Sequence, residues 1–130
     1  MVEKIIGNGI DMCEVKKMNK LFLHFTRQEF SLIFTMKEMN YIDENKTNFF
    51  ILFSLKESLI KALGIGFNSK LSEFKKIEFQ LQGNFVEKVI TKENISEILC
   101  KKNVNLIRSD FTITETLITT KVLLIDDKGV

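Results

Sequence analysis

Proline and tryptophan are absent from this chain of 130 residues, and histidine and tyrosine occur once each. Arginine is scarce as well: Arg27 and Arg108 are the only two, so lysine carries nearly all of the positive charge. Lysine offers a phosphate a point charge rather than a bidentate fork. Cysteine is limited to Cys13 and Cys100, which have neither metal-type spacing nor an extracellular context and read as two reduced thiols rather than a bridge. The one histidine, His24, has no second metal-type ligand spaced with it. No apolar run approaches the roughly 18 residues of a membrane-spanning helix, because Lys, Glu, Asp or Asn interrupts each candidate. The N-terminus, MVEKIIGNGID, lacks the cationic stretch, apolar core and small-residue cleavage site of a secretory signal. A net charge of +2 is too small to argue by itself for a nucleic-acid partner. These absences leave the expectation of a soluble, cytoplasmic protein. The missing proline, set beside abundant Lys, Ile, Asn and Phe, reads as a nucleotide bias and carries no functional signal.

What is present is apolar and rich in phenylalanine. Hydrophobic residues make up 45% of the chain and Phe accounts for 12 residues against a single Tyr, which excludes a disordered or collagen-like chain. The length fits one domain, residues 1–130, with a substantial core.

Periodicity divides the chain into elements. Residues 3–15 read as a strand in which Gly7, Gly9, Asp11 and Cys13 share one parity and Ile6, Ile10 and Met12 the other. The apolar set is expected to face the core, and the glycines to leave room beside Asp11. Met18, Leu21, Phe22, Phe25 and Phe30 recur at helical spacing over 16–31. Thr35 followed by Glu38 is a capping box that opens a short helix to about Tyr41. After the polar connector DENKTN (43–48), a long helix is expected from Thr47 to Leu63, ended by Gly64. Residues 64–74 read as a loop, and 76–90 as a hairpin around Gly83-Asn84. A helix over 93–102 and two strands over 104–114 and 117–126 complete the chain. The predicted class is α+β, a mostly antiparallel sheet packed on one long helix.

The long helix poses the chemical question. FFILFSLKESLIKALG (49–64) sets Lys56, Glu57 and Lys61 into an otherwise apolar sequence. Glu57 and Lys61 are spaced as an ordinary i,i+4 ion pair. They also suit a second arrangement in which Glu57 and the strand carboxylate Asp11 share a hard cation. Magnesium accepts one or two carboxylates and completes its shell with water and substrate phosphates. Lys56 and Lys61 would then neutralise phosphate charge. Spacing alone leaves both readings open.

GNGIDMCEV (7–15) together with FSLKESLIKALGIG (53–66) resembles the 4′-phosphopantetheinyl transferase superfamily, and within it the holo-acyl-carrier-protein synthases. That family carries a G-I-D motif followed by V/I-E, then a W/F-x-x-K-E-A/S-x-x-K helix ending in A-L-G-T-G. Gly9, Ile10, Asp11 and Glu14 match the first motif. Phe53, Lys56, Glu57, Ser58, Lys61, Ala62, Leu63, Gly64 and Gly66 match the second. IFTMKE (33–38) is similar to the family's I-F-T-x-x-E, and FKKIEF (74–79) to its F-x-D-I-E-V. The C-terminal histidine segment of the family is represented by FTITET (111–116), with Glu115 in the histidine position, and Leu32 and Leu52 stand where the family has arginines.

The resemblance implies transfer of the phosphopantetheine arm of coenzyme A to a serine of an apo-acyl carrier protein, as in fatty acid biosynthesis, with release of adenosine 3′,5′-bisphosphate. It implies Asp11 and Glu57 as magnesium ligands, Glu57 and Lys61 as catalytic residues, and Lys56, Lys61 and Gly64 as contacts to coenzyme A. A homotrimer with sites between subunits is implied too. Under this resemblance Lys16, Lys17, Lys20 and Arg27 are either a solvated face or the docking surface for an acidic carrier protein. A relative that binds coenzyme A or a carrier protein without catalysis is the alternative the same motifs allow.

Overall fold

The structure, a computed structural model, describes residues 3–65 and 70–127. A twelve-residue strand, β1 (Glu3–Glu14), is followed by four helices, α1 (Val15–His24), α2 (Arg27–Ile33), α3 (Met36–Glu44) and α4 (Thr47–Leu63). The short helix α5 (Lys70–Phe74) leads into the hairpin β2 (Ile77–Gln82) and β3 (Phe85–Thr91), then α6 (Glu93–Lys101), β4 (Leu106–Ile113) and β5 (Leu117–Asp127). Every strand pair is antiparallel, as expected, but the strands form two sheets: β1-β5-β4, and the separate ribbon β2-β3.

The seventeen-residue α4 is the axis of the molecule. Twelve of its residues, from Phe49 to Leu63, are buried, so it is enclosed on nearly every side, as a helix apolar all round must be. One side rests on β1 and β5; the other meets the smaller helices and β2. The Phe49 ring lies 5.3–6.0 Å, centroid to centroid, from those of Phe22, Phe25, Phe30, Phe34, Phe50 and Phe53. Most of these contacts are edge-on, the arrangement aromatic quadrupoles favour. The helix stops where Gly64 turns into the left-handed region, φ 75°, and its N–H returns to the Lys61 carbonyl at 3.1 Å.

Three sequence expectations are corrected. The first concerns β1, whose core face is the glycine face: Gly9 and Asp11 are buried, whereas of the expected apolar set only Ile6 packs against the core, and Ile10 and Met12 are 55% and 64% exposed. The cause is the close seat of α4. A β-carbon on Gly9 would collide with the Ser58 carbonyl and lie 2.9 Å from the Ala62 nitrogen, and one on Gly7 would collide with the Ala62 carbonyl oxygen. Only the glycine parity lets the helix backbone this near, and a β-bulge between Ile5 and Gly7 resets the register before it.

The second correction divides the expected helix over 16–31 at Phe25-Thr26. Thr26 and Glu29 form a capping box, with Glu29 N–H on Thr26 Oγ1 at 3.1 Å and Thr26 N–H on Glu29 Oε1 at 2.9 Å. Third, the expected loop 64–74 contains α5, while Gly66 lies outside the described residues. The Thr35–Glu38 box, the limits of α4 and the hairpin at Gly83-Asn84 stand where the sequence placed them. Among the described residues no helix is long and apolar enough to cross a membrane.

Candidate active site

The register of β1 brings Asp11 to face α4. Asp11 pairs with Thr120 in the sheet, and its carboxylate points inward, where it is 7% exposed. Three side chains donate to it: Ser54 Oγ to Oδ2 at 2.8 Å, Cys13 Sγ to Oδ2 at 3.2 Å, and Lys61 Nζ to Oδ1 at 3.0 Å. Burial opposes ionisation of Asp11, but the bonds from Ser54, Lys61 and Cys13 outweigh it and hold the carboxyl below the ordinary aspartate range. Lys61 also donates to the Ile10 carbonyl at 3.2 Å, yet its side chain remains 49% exposed. The pair therefore has a dry side, occupied by Ser54, and a wet side, occupied by the ammonium.

Glu57 lies one turn before Lys61 on α4 and is half-buried. Its charge reaches Cys13. Burial, the bond to Asp11 and the charges of Asp11 and Glu57 together push the Cys13 thiol up to about 12. Cys13 is thus a protonated donor to Asp11 and not an activated nucleophile. Cys100 is free and exposed on α6.

Lys56 is the site residue that the structure moves elsewhere. Successive helical residues diverge by about 100°, so Lys56 cannot share the side of α4 used by Glu57 and Lys61. Its ammonium is fully buried on the opposite side of α4 and donates to Glu38 Oε1 at 2.6 Å, Ile33 O at 2.9 Å, Phe74 O at 2.8 Å and Ile77 O at 2.7 Å. It also lies 5.1 Å from the centre of the Phe34 ring. Four acceptors exhaust three N–H donors, so a phosphate has no vacant hydrogen to find, and the expected coenzyme A contact at Lys56 is replaced by a structural one. Burial pulls the Lys56 ammonium down and pushes the Glu38 carboxyl up. The carbonyls around the first, with the Thr35 and Phe79 N–H groups on the second, favour the charged pair.

Gly64 closes α4 one turn beyond Lys61. Glu115 occupies the exposed turn between β4 and β5, five residues before Thr120, where the Thr116 carbonyl accepts the Val15 N–H at 2.9 Å. Within one chain it belongs to the Glu14 end of β1 rather than to Asp11. Sequence reasoning missed Ser54 and Cys13 as partners of Asp11. Ser54 and Ser58, one turn apart within an apolar helix, were the available signal.

The donor set fits a hard cation. Asp11 on β1 and Glu57 on α4 are the carboxylates that could contribute to a cation site, and no group of three or more metal-type side chains exists among the described residues. Two carboxylates, with the remaining positions left to water and substrate, would suit magnesium better than a closed zinc site.

Comparison with known proteins places the chain in a family. The sequence profile of the 4′-phosphopantetheinyl transferase superfamily matches residues 7–114. A holo-[acyl-carrier-protein] synthase of Geobacter sp. (strain M21) is 32% identical over 71 residues, a match covering 52% of this chain and 57% of that relative. The chain thus spans little more than half the length of the curated relative it matches. The crystal structure of holo-[acyl-carrier-protein] synthase from Neisseria meningitidis superposes with a TM-score of 0.77 at 19% identity, covering 93% of this chain and 98% of that one. The Helicobacter pylori synthase in complex with coenzyme A gives 0.73 at 19% identity, covering 90% and 98%. At these identities the two structures establish the shared α+β fold.

Proposed function

The chain belongs to the 4′-phosphopantetheinyl transferase superfamily, and from that premise we propose that it transfers the 4′-phosphopantetheine arm of coenzyme A to a serine of an apo-acyl carrier protein. The reading is carried by one observation: Asp11, ionised and locked from inside, meets Lys61 on the open side of α4. Asp11 and Glu57 would hold magnesium, which would supply charge neutralisation for the phosphates of coenzyme A. Lys61 presents its exposed ammonium to phosphate as a point charge. Gly64, with no side chain, leaves the end of α4 open to the substrate. Glu57 takes the serine hydroxyl proton as the serine oxygen bonds to the phosphorus nearer the pantetheine. The bond from that phosphorus to the bridging oxygen breaks, and adenosine 3′,5′-bisphosphate departs with that oxygen. Such transfers depend chiefly on positioning and charge, which suits a site with few participants.

The acidic carrier protein docks on α1, where Lys16, Lys17 and Lys20 are exposed. Arg27 contributes less, because Asp43 holds its guanidinium at 2.8 and 3.0 Å. The proposed setting is cytoplasmic fatty acid biosynthesis, a reading that the superfamily match supports. Calorimetric titration with coenzyme A is expected to give saturable binding that tightens when magnesium is added. Absence of binding at millimolar coenzyme A with magnesium present contradicts the reading.

The outer face of β1 supports a proposal for assembly. Ile5, Ile10 and Met12 are 60%, 55% and 64% exposed there, an apolar stripe that a neighbouring subunit would cover. A homotrimer with sites shared between subunits is the proposed state. Light scattering at micromolar concentration should give three times the 15.1 kDa of one chain. A monodisperse monomer that still transfers the arm overturns both the trimer and the shared site.

A further inference from the structure

Behind Asp11 lies a buried line of hydroxyls that the reaction does not itself use. Ser54, Ser58 and Thr120 are all fully buried. Ser54 Oγ is 2.8 Å from Asp11 Oδ2 and 2.8 Å from Thr120 Oγ1, which is 2.7 Å from Ser58 Oγ. Thr120 Oγ1 also lies 3.0 Å from the Ser54 carbonyl, and Ser58 Oγ 3.4 Å from the Thr120 carbonyl. The two serines are one helical turn apart on α4, and Thr120 is the β5 residue paired with Asp11, so helix and sheet are joined through these three oxygens.

Each hydroxyl has one proton, and this fixes the direction of the line. A carboxylate paired with an ammonium only accepts, so the Ser54 proton is committed to Asp11 Oδ2. Ser54 Oγ must then accept, and the Thr120 hydroxyl is the donor, shared with the Ser54 carbonyl. Thr120 Oγ1 accepts in turn from Ser58. The order Ser58 to Thr120 to Ser54 to Asp11 leaves none of the three hydroxyl oxygens without a donor or acceptor role, and successive bonds polarise one another toward the carboxylate.

We propose that Ser54, Thr120 and Ser58 are positioning residues that fix the rotation of the Asp11 carboxylate, so that Oδ2 is held inward and Oδ1, which accepts from Lys61, is the oxygen turned to the open side where a divalent cation can reach its remaining lone pair. The inference rests on the reading of Asp11 as a cation-holding carboxylate. The torsion that rotates a carboxylate is broad and poorly restrained by itself. Without the Ser54 proton only the longer Cys13 bond, 3.2 Å, holds Oδ2 inward, so Asp11 turns toward Lys61 and the tighter ion pair competes with the cation.

The test measures Mn2+ binding by electron paramagnetic resonance, with coenzyme A present, alongside thermal unfolding of each variant. Ser54→Ala is expected to weaken Mn2+ binding by about tenfold, the scale of one lost bond to a charged group. Thr120→Val, which keeps shape but not the hydroxyl, should weaken it several-fold, and Thr120→Ser should restore wild-type binding. The valine and serine variants keep the question answerable if Ser54→Ala does not fold. Mn2+ affinity unchanged in Ser54→Ala or Thr120→Val, whatever the melting temperature does, overturns the positioning role while leaving Asp11 as a ligand. Equal weakening in Thr120→Ser and Thr120→Val overturns it as well, because the hydroxyl is then irrelevant. A wild-type chain that binds coenzyme A but no Mn2+ refutes the reading of Asp11 and the inference together.

Discussion

Lys56→Ala is expected to lower folding stability by about 3–5 kcal/mol, the scale for removing one partner of a buried ion pair. The ammonium is enclosed completely and serves Glu38 together with the carbonyls of Ile33, Phe74 and Ile77. Those acceptors come from the end of α2, the end of α5 and the start of β2, while Glu38 opens α3 and also takes the Phe79 N–H at 2.9 Å. Truncation leaves a buried carboxylate and three carbonyls without their donor, in a domain whose whole stability is on the order of 5–15 kcal/mol. Glu38 can escape part of the penalty by taking a proton, since burial already pushes it upward. The double variant Lys56→Met with Glu38→Leu should recover only part of the loss, because the backbone groups remain unpaired. Urea denaturation of the three proteins measures this. A loss below about 1 kcal/mol for Lys56→Ala, the level of an exposed pair, contradicts the buried position of the ammonium.

Asp11→Ala is expected to abolish phosphopantetheine transfer, with a fall of at least about a hundredfold, the scale of losing one preorganised electrostatic contact in a site. The chain should still fold. Lys61, half-exposed, turns to water when its partner is removed, and Ser54 can give its proton to Thr120 or to the helix backbone. Loss of activity with a retained cooperative unfolding transition is the expected pair of results. Turnover within a few-fold of the parent removes Asp11 from the mechanism.

Lys56 and Asp11 also mark how far the sequence could be read. Elements governed by local chemistry were legible: Thr35 with Glu38 opens α3, and Gly64 ends α4 because its left-handed φ needs no accommodation of a side chain. The conjunction of a glycine-flanked Asp11 with a Lys-Glu helix was legible as well, since both motifs carry their own spacing. The face of β1 was not. Ile10 and Met12 obey the rule that apolar residues turn inward, but the backbone of α4 leaves room only for hydrogen at Gly7 and Gly9, and tertiary closeness overrode the pattern. Lys56 was misjudged because neighbours in sequence diverge around a helix. Its role depends on Glu38, eighteen residues earlier, which carries no mark of burial in the sequence. Ser54, Ser58 and Thr120 were hidden for a related reason, since Thr120 meets the serines only through the pairing of β5 with β1.

The account turns on whether the Asp11–Lys61 pair and Glu57 form a transferase site. The most direct measurement is the intact mass of an apo-acyl carrier protein after incubation with this protein, coenzyme A and magnesium. The account predicts a single addition equal to one phosphopantetheine group, located on the carrier serine, and absent when Asp11→Ala replaces the parent. A carrier protein of unchanged mass, from a chain that is folded and binds coenzyme A, would contradict it.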